Sequence, residues 1–202
     1  MSYESLRLPL RLIALALITV VIQEAAVSQI SIFGTTADLT PLVVMSVGLL
    51  AGSIPGAVMG FGVGLLVDLL LFQTLGVTSL LYIVIGYWSG RLRELRDPSH
   101  GLVPMALGAA ATAFAGLGMT LIQFLLGVDS PVSLLLFQQI FVTVLVNTLL
   151  ALPVYALVRR IVRPVLPEDP RRRRRRAYTT GGLSPLQQGA ARRTTFTRPK
   201  PL

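Results

Sequence analysis

"VMGFGVGLLVDLLLFQTLG", residues 58–76, decides how the rest of the chain is read. It is an apolar run interrupted by a single carboxylate, Asp68. In water an aspartate is ordinary, but insertion scales put one at the centre of a bilayer at about 3 kcal/mol unfavourable. The first question is therefore whether this stretch lies in a membrane.

Composition answers it. The chain is 53% hydrophobic and 13% charged, whereas soluble domains carry roughly a quarter charged residues. The charge is also unevenly placed. Residues 1–158 hold five arginines and seven acids, net −2, while residues 159–202 hold thirteen basic residues and two acids, net +11. The strong basicity belongs to a tail and says nothing of the body. There are no cysteines, which excludes disulfide staples and thiolate metal sites.

A membrane helix needs about 20 mostly apolar residues. Six segments meet or approach this, at about 8–27, 39–53, 55–72, 75–90, 102–126 and 132–158, the second being short if it starts after Asp38. The breaks are turn-like: "SIPG" at 53–56, "QTLG" at 73–76, "RLRELRDPSHG" at 91–101 and "GVDSP" at 127–131. Pro55, Pro98 and Pro131 stand where helices begin or stop. Short loops make neighbouring spans antiparallel. The first segment has arginines ahead of it as a signal peptide would, but its apolar part is longer than a signal core and further spans follow, so it is expected to be retained.

Orientation follows from the arginines. Arg7 and Arg11 precede the first span, Arg91, Arg93 and Arg96 lie between the fourth and fifth, and Arg159, Arg160 and Arg163 follow the sixth. All three clusters then fall on one side. The opposite loops, with Asp38, Gln73 and Asp129, contain no Arg or Lys. Both termini are predicted cytoplasmic.

Gly56, Gly60 and Gly64 recur every fourth residue, and Asp68 continues the row. Such residues share one helix face, and small residues let backbones approach closely in a bilayer. Gly86 and Gly90 repeat the spacing on the fourth span, and "GAAATAFAGLGMT" forms a third small-residue surface on the fifth. Asp68 lies thirteen residues past Pro55, roughly 20 Å along a helix and beyond the middle of a core about 30 Å thick. A carboxylate at that depth faces the bundle interior or a cavity and has a partner. No Lys, Arg or His lies in another span's core, so neutral donors must serve. Gln139, Thr143 and Asn147 form an i, i+4 row on the sixth span, and Thr143 and Asn147 match the depth of Asp68. Three roles stay open for Asp68: a binding or proton site, a hydrogen-bonded structural residue, or a contact with another protein.

"PGAVMGFGVGLLVDLLLFQTLGVTSLLYIVIGYWSG", residues 55–90, resembles the signature region of the rod shape-determining protein MreD family. The residues that carry the resemblance are Gly56, Gly60, Phe61, Gly64, Asp68, Leu75, Gly76, Tyr82, Gly86, Tyr87 and Gly90. "PLVVMSVGLLAG", residues 41–52, is similar to that family's proline-led second span. The layout matches over 6–158, the specific part over about 41–90, and the last two spans match in hydropathy alone. The resemblance implies a non-enzymatic bacterial inner-membrane protein of the cell-elongation machinery. It would associate with an MreC-like single-span protein and, through it, with RodA, a class B penicillin-binding protein and the MreB filament. In this reading Gly56, Gly60, Gly64, Asp68, Gly86 and Gly90 are helix-packing or partner-interface positions. The chain departs from the pattern in running on for 44 residues after the last span.

That extension defines a second region. Residues 1–163 form the six-span domain, an all-α compact bundle, and 164–202 a basic tail rich in Arg, Thr, Gly and Pro, expected to be disordered. Arg171, Arg172, Arg173, Arg174, Arg175 and Arg176 would attract anionic lipid at about 1 kcal/mol per residue near the surface, or an acidic partner. No fold or aromatic platform for nucleic acid accompanies them, since Tyr178 and Phe196 are isolated.

Catalytic and cofactor signatures are missing. His100 is the only histidine, and there is no P-loop lysine, dinucleotide fingerprint or His-Glu metal helix. No catalytic residue, cofactor or metal is assigned. Tyr87 and Trp88 read as an interfacial belt. The alternative function is the substrate-binding membrane subunit of an energy-coupling small-molecule transporter, a class also compact and usually six-spanned. Such subunits tend to carry an Ala-xxx-Ala docking surface on the first span. Here Ala14 is followed four on by Ile18, and Ala16 by Val20.

Overall fold

The computed structural model describes residues 3–29, 31–32, 35–95, 102–127 and 134–165. Arg96, Pro98, His100, Asp129, Pro131, Tyr178 and Phe196 lie outside the described residues, as does the arginine run at 171–176 with nearly all of the expected tail. The compact unit Met1–Leu166 holds every described residue.

Six α-helices occur among the described residues: α1 (Tyr3–Ala25), α2 (Leu39–Ala51), α3 (Ser53–Leu70), α4 (Val77–Leu95), α5 (Leu102–Leu125) and α6 (Leu134–Val162). Two two-residue strands, β1 (Ser31–Ile32) and β2 (Thr35–Thr36), pair antiparallel between α1 and α2. The protein is an all-helical membrane protein, as the composition required. Of the six expected spans, four segments among the described residues are both long and apolar enough to cross a bilayer: Pro9–Gln29, Ser53–Leu70, Leu102–Leu125 and Leu136–Val162. α4 has the length but carries Arg91, Arg93 and Glu94 in its last turns. α2, with 13 residues, is about 20 Å long against a core of about 30 Å.

Local chemistry sets the boundaries. The Asp38 carboxylate accepts the Thr40 N–H at 3.0 Å and caps α2. Pro41 follows in the first turn, where a missing N–H costs nothing. Gly52, at φ 108°, turns the chain directly from α2 into α3, a conformation that only glycine adopts freely. Hydroxyls inside the helices bond back to their own preceding turn: Thr19 to Leu15 O, Ser46 to Leu42 O, Ser89 to Ile85 O and Thr112 to Gly108 O. Each hydroxyl proton is thereby satisfied within its own helix.

α2 is apolar on every side, as a helix surrounded by protein or by lipid must be, and here it is protein that surrounds it. Residues 40 to 50 are all buried, and α2 touches each of the other five helices. Those five form a ring around it in the order α1, α3, α4, α5, α6, with α6 returning to α1. The side chains facing outward are large and apolar, among them Leu10, Ile13, Val21, Val58, Phe61, Leu121, Phe141 and Leu149, which is the surface a hydrocarbon solvent calls for.

Candidate functional site

The residues with unusual chemistry gather at two places, the α3–α4 hairpin and the start of α2.

Asp68 sits in the last turn of α3 and is completely buried. Its carboxylate accepts the Gly76 N–H at 2.7 Å and the Thr78 N–H at 3.4 Å. These are donors at the beginning of α4 that have no acceptor within the helix, and there the helix dipole also favours negative charge. The Asp68 carbonyl accepts the Gln73 N–H at 3.1 Å. The carboxylate in the oily run is therefore a cap for the following helix. Thr143 and Asn147, expected as its partners, are placed elsewhere. Thr143 lines a shallow, open cleft of about 150 Å³ between α5 and α6, with Thr112, Gly116, Leu136, Gln139 and Ile140. Asn147 belongs to the second site.

Below Asp68 on α3 the glycine row meets α4 backbone to backbone. A Cβ on Gly56 would lie 2.5 Å from the Gly86 carbonyl oxygen and 2.7 Å from the Gly48 Cα. A Cβ on Gly60 would overlap the Tyr82 carbonyl, and one on Gly64 the Ser79 backbone. Gly86 and Gly90 present the reverse side, against Gly56 and against the Gly52–Ser53 peptide. Gly48 of α2 joins them, with its Cβ position 2.5 Å from the Gly86 oxygen. The five glycines expected from the sequence as packing positions, Gly56, Gly60, Gly64, Gly86 and Gly90, face into this three-helix seam, and Gly48 was missed because it stands outside the two rows.

The second site exists because α2 is short. Arg11 donates to the Ile161 carbonyl at 3.0 Å, which sets α1 in register with α6 at the arginine end. Twelve residues further along α1 lies Gln23, and fourteen residues back along α6 lies Asn147. At 1.5 Å per residue both arrive about 18–21 Å from that level. The chain entering α2 passes between them. Gln23 Nε2 donates to the Ala37 carbonyl at 3.0 Å, and Gln23 Oε1 accepts the Leu39 N–H at 2.9 Å. Asn147 Oδ1 accepts the Asp38 N–H at 3.2 Å, and Asn147 Nδ2 donates to the Asp38 carbonyl at 2.7 Å.

The geometry is that of a strand with side chains for neighbours. Asp38 is extended, at φ −118° and ψ 101°, so residues 37 and 39 present their peptide groups to one side and residue 38 to the other. One carboxamide serves each edge. This matters inside a bilayer, where non-helical backbone must be satisfied by protein and each unmatched group costs about 1–3 kcal/mol even on protein scales. Asn147 Nδ2 also donates to Thr112 Oγ1 at 3.0 Å, and the Tyr82 hydroxyl donates to Asp38 Oδ2 at 3.4 Å. Gln23, Tyr82, Thr112 and Asn147 are all buried. The junction thus joins α1, α4, α5 and α6 to the start of α2.

Gln23, Asp38, Tyr82 and Thr112 were not named as site residues from the sequence. The signals were present: an Asp followed by Leu-Thr-Pro is a helix start, and Gln23 and Thr112 are polar residues inside apolar spans. Among the described residues no group of three or more His, Cys, Asp or Glu could hold a metal. What the two sites do chemically is position backbone.

A family model described as rod shape-determining protein MreD matches residues 6–161, a range that runs from the first turn of α1 to the last turn of α6. The chain belongs to that family, one defined by its role in rod shape determination and not known for catalysis. No curated protein and no solved structure matches the chain.

Proposed function

We propose that this MreD-family chain is a non-enzymatic scaffold of the bacterial inner membrane, working in the cell-elongation complex. It would bind an MreC-like single-span protein and, through it, support RodA, a class B penicillin-binding protein and MreB in lateral peptidoglycan synthesis. The observation that carries this reading is the family match over all six helices. The interior supports it, since the buried Asp68, Gln23, Thr112 and Asn147 are occupied by helix caps, backbone and one another. A rigid bundle of that kind offers a surface to a neighbour.

In the same reading α2 and α4 complete six crossings within the bundle and both termini are cytoplasmic. The arginines at 171–176 hold the tail to anionic lipid, with no nucleic-acid role, and residues 1–163 act as one domain. The glycines and Asp68 keep α2, α3 and α4 together and act on a partner only through the shape of the bundle.

The test is purification of the tagged protein from its native membrane in a gentle detergent, with mass spectrometry of what accompanies it. Recovery of an MreC-like protein supports the scaffold. Recovery of a transmembrane coupling protein with paired ATPases instead would overturn it in favour of a transporter subunit.

A further inference from the structure

The α3–α4 connection, residues 71–76, has an unusual combination of features. Phe72 is 96% exposed, the most exposed large apolar side chain among the described residues. Its backbone is left-handed, at φ 51°, a region that bulky residues rarely enter and that persists only where the surroundings enforce it. Leu71 and Leu75 beside it are exposed as well, at 42% and 63%. A flexible apolar loop would fold its side chains back against the bundle. This one cannot, because both of its sides are tied to Asp68: the carbonyl takes the Gln73 N–H, and the carboxylate takes the Gly76 and Thr78 N–H groups. The buried carboxylate holds an aromatic ring outward.

Depth identifies what receives the ring. Gly90 packs on Ser53 at the arginine end of the bundle, and Arg91 follows at once. Phe72 is nineteen residues beyond Ser53, so it lies roughly 28 Å away along α3, at the far boundary of a core about 30 Å thick. Its apolar surface continues that of Leu70, Leu69 and Phe61 down the outer face of α3. Gln73 and Thr74 are the exposed polar groups of the same turn, and the loop carries no charge that would select a protein partner. An apolar projection with a polar crest at this level matches the headgroup–acyl boundary.

We propose that the tip of the α3–α4 hairpin, Phe72 with Leu71 and Leu75, inserts into the interfacial region of the leaflet opposite the arginine end, with Asp68 as its buttress. This rests on the chain spanning a bilayer and not on its place in the elongation complex, so the two can fail separately.

The full chain carrying Trp88→Phe and Phe72→Trp has one indole, at the tip, because Trp88 is the sole native tryptophan. It is reconstituted in phosphatidylcholine–phosphatidylglycerol vesicles with lipids spin-labelled near the headgroup or near the chain end, and titrated with aqueous iodide. The expected result is loss of emission chiefly to the label near the headgroup, with little loss to iodide. Strong quenching by iodide with none from lipid would put the tip in water and overturn the proposal. Quenching by neither would show it covered by protein and overturn it equally. Leu75→Trp in place of Phe72→Trp reads the same tip if the first variant does not fold. Adding Asp68→Asn, which keeps the size but turns an amide donor on the backbone donors, should raise iodide quenching. Unchanged quenching would remove Asp68 from the buttress role.

Discussion

Asn147 and Asp38 stand 109 positions apart in the chain and are joined by two hydrogen bonds, from the Asp38 N–H to Asn147 Oδ1 at 3.2 Å and from Asn147 Nδ2 to the Asp38 carbonyl at 2.7 Å. A side-chain amide here takes the place of a neighbouring strand. The pairing lets α2 begin inside the bundle without leaving its entry segment unmatched.

Replacing Asn147 by Leu keeps the branched shape but strips the partner from both Asp38 peptide groups and removes one of the two hydrogen bonds of Thr112. The expected loss is about 2–4 kcal/mol of stability, read as a lower melting temperature in detergent. A melting temperature equal to wild type would mean that water reaches residues 37–39.

Gln23 and Asn147 grip opposite edges of the same three residues, so their effects should not add. In a double-mutant cycle of Gln23→Leu and Asn147→Leu the coupling is expected at about 0.5–3 kcal/mol. Additivity within error would show that the two edges are independent.

Gly60 and Gly62 give an internal comparison two residues apart. A Cβ at Gly60 overlaps the Tyr82 carbonyl, whereas at Gly62 nothing lies within 4 Å. Gly60→Ala should cost about 1–3 kcal/mol or more by overpacking. Gly62→Ala should be neutral or stabilising by up to about 1 kcal/mol through helix propensity. Equal effects at the two positions would contradict the α3–α4 seam.

Asp68→Leu removes the acceptor of the Gly76 and Thr78 N–H groups. The expected cost is about 1–3 kcal/mol, with faster protease cleavage within residues 71–76. Asp68→Asn, which retains one acceptor oxygen, should fall between it and wild type. If both variants match wild type in melting and cleavage, the capping role is wrong.

At Tyr82 the hydroxyl is 3.4 Å from Asp38 Oδ2, near the limit for a hydrogen bond. Tyr82→Phe should therefore cost no more than about 0.5–1 kcal/mol, less than Asn147→Leu. A larger loss at Tyr82 would reverse the ranking of the junction's contacts.

Much of this was legible along the chain. Hydropathy over a window marks a helix that lipid or core must surround, whatever its neighbours are. The small-residue period on α3 and α4 marks a close backbone approach because only a missing Cβ permits one. Asp38 before Leu-Thr-Pro marks a helix start, since a carboxylate two residues from a free N–H caps it wherever the helix lies.

The partner of each polar group was not legible. Asp68 and Asn147 matched in depth, yet depth along an axis does not say which helices are neighbours around the ring. That order follows from the hairpin geometry of α2, α3 and α4, whose glycine seam draws Asp68 onto the start of α4 and leaves Asn147 facing α2. The sequence by itself determined a membrane protein of six apolar helices with a glycine seam, because hydropathy and side-chain size are local properties. Tertiary structure alone decided that the short second helix lies at the centre, and that two amides from distant helices complete its entry, because unmatched backbone in a bilayer takes whichever donor or acceptor the packing brings within 3 Å.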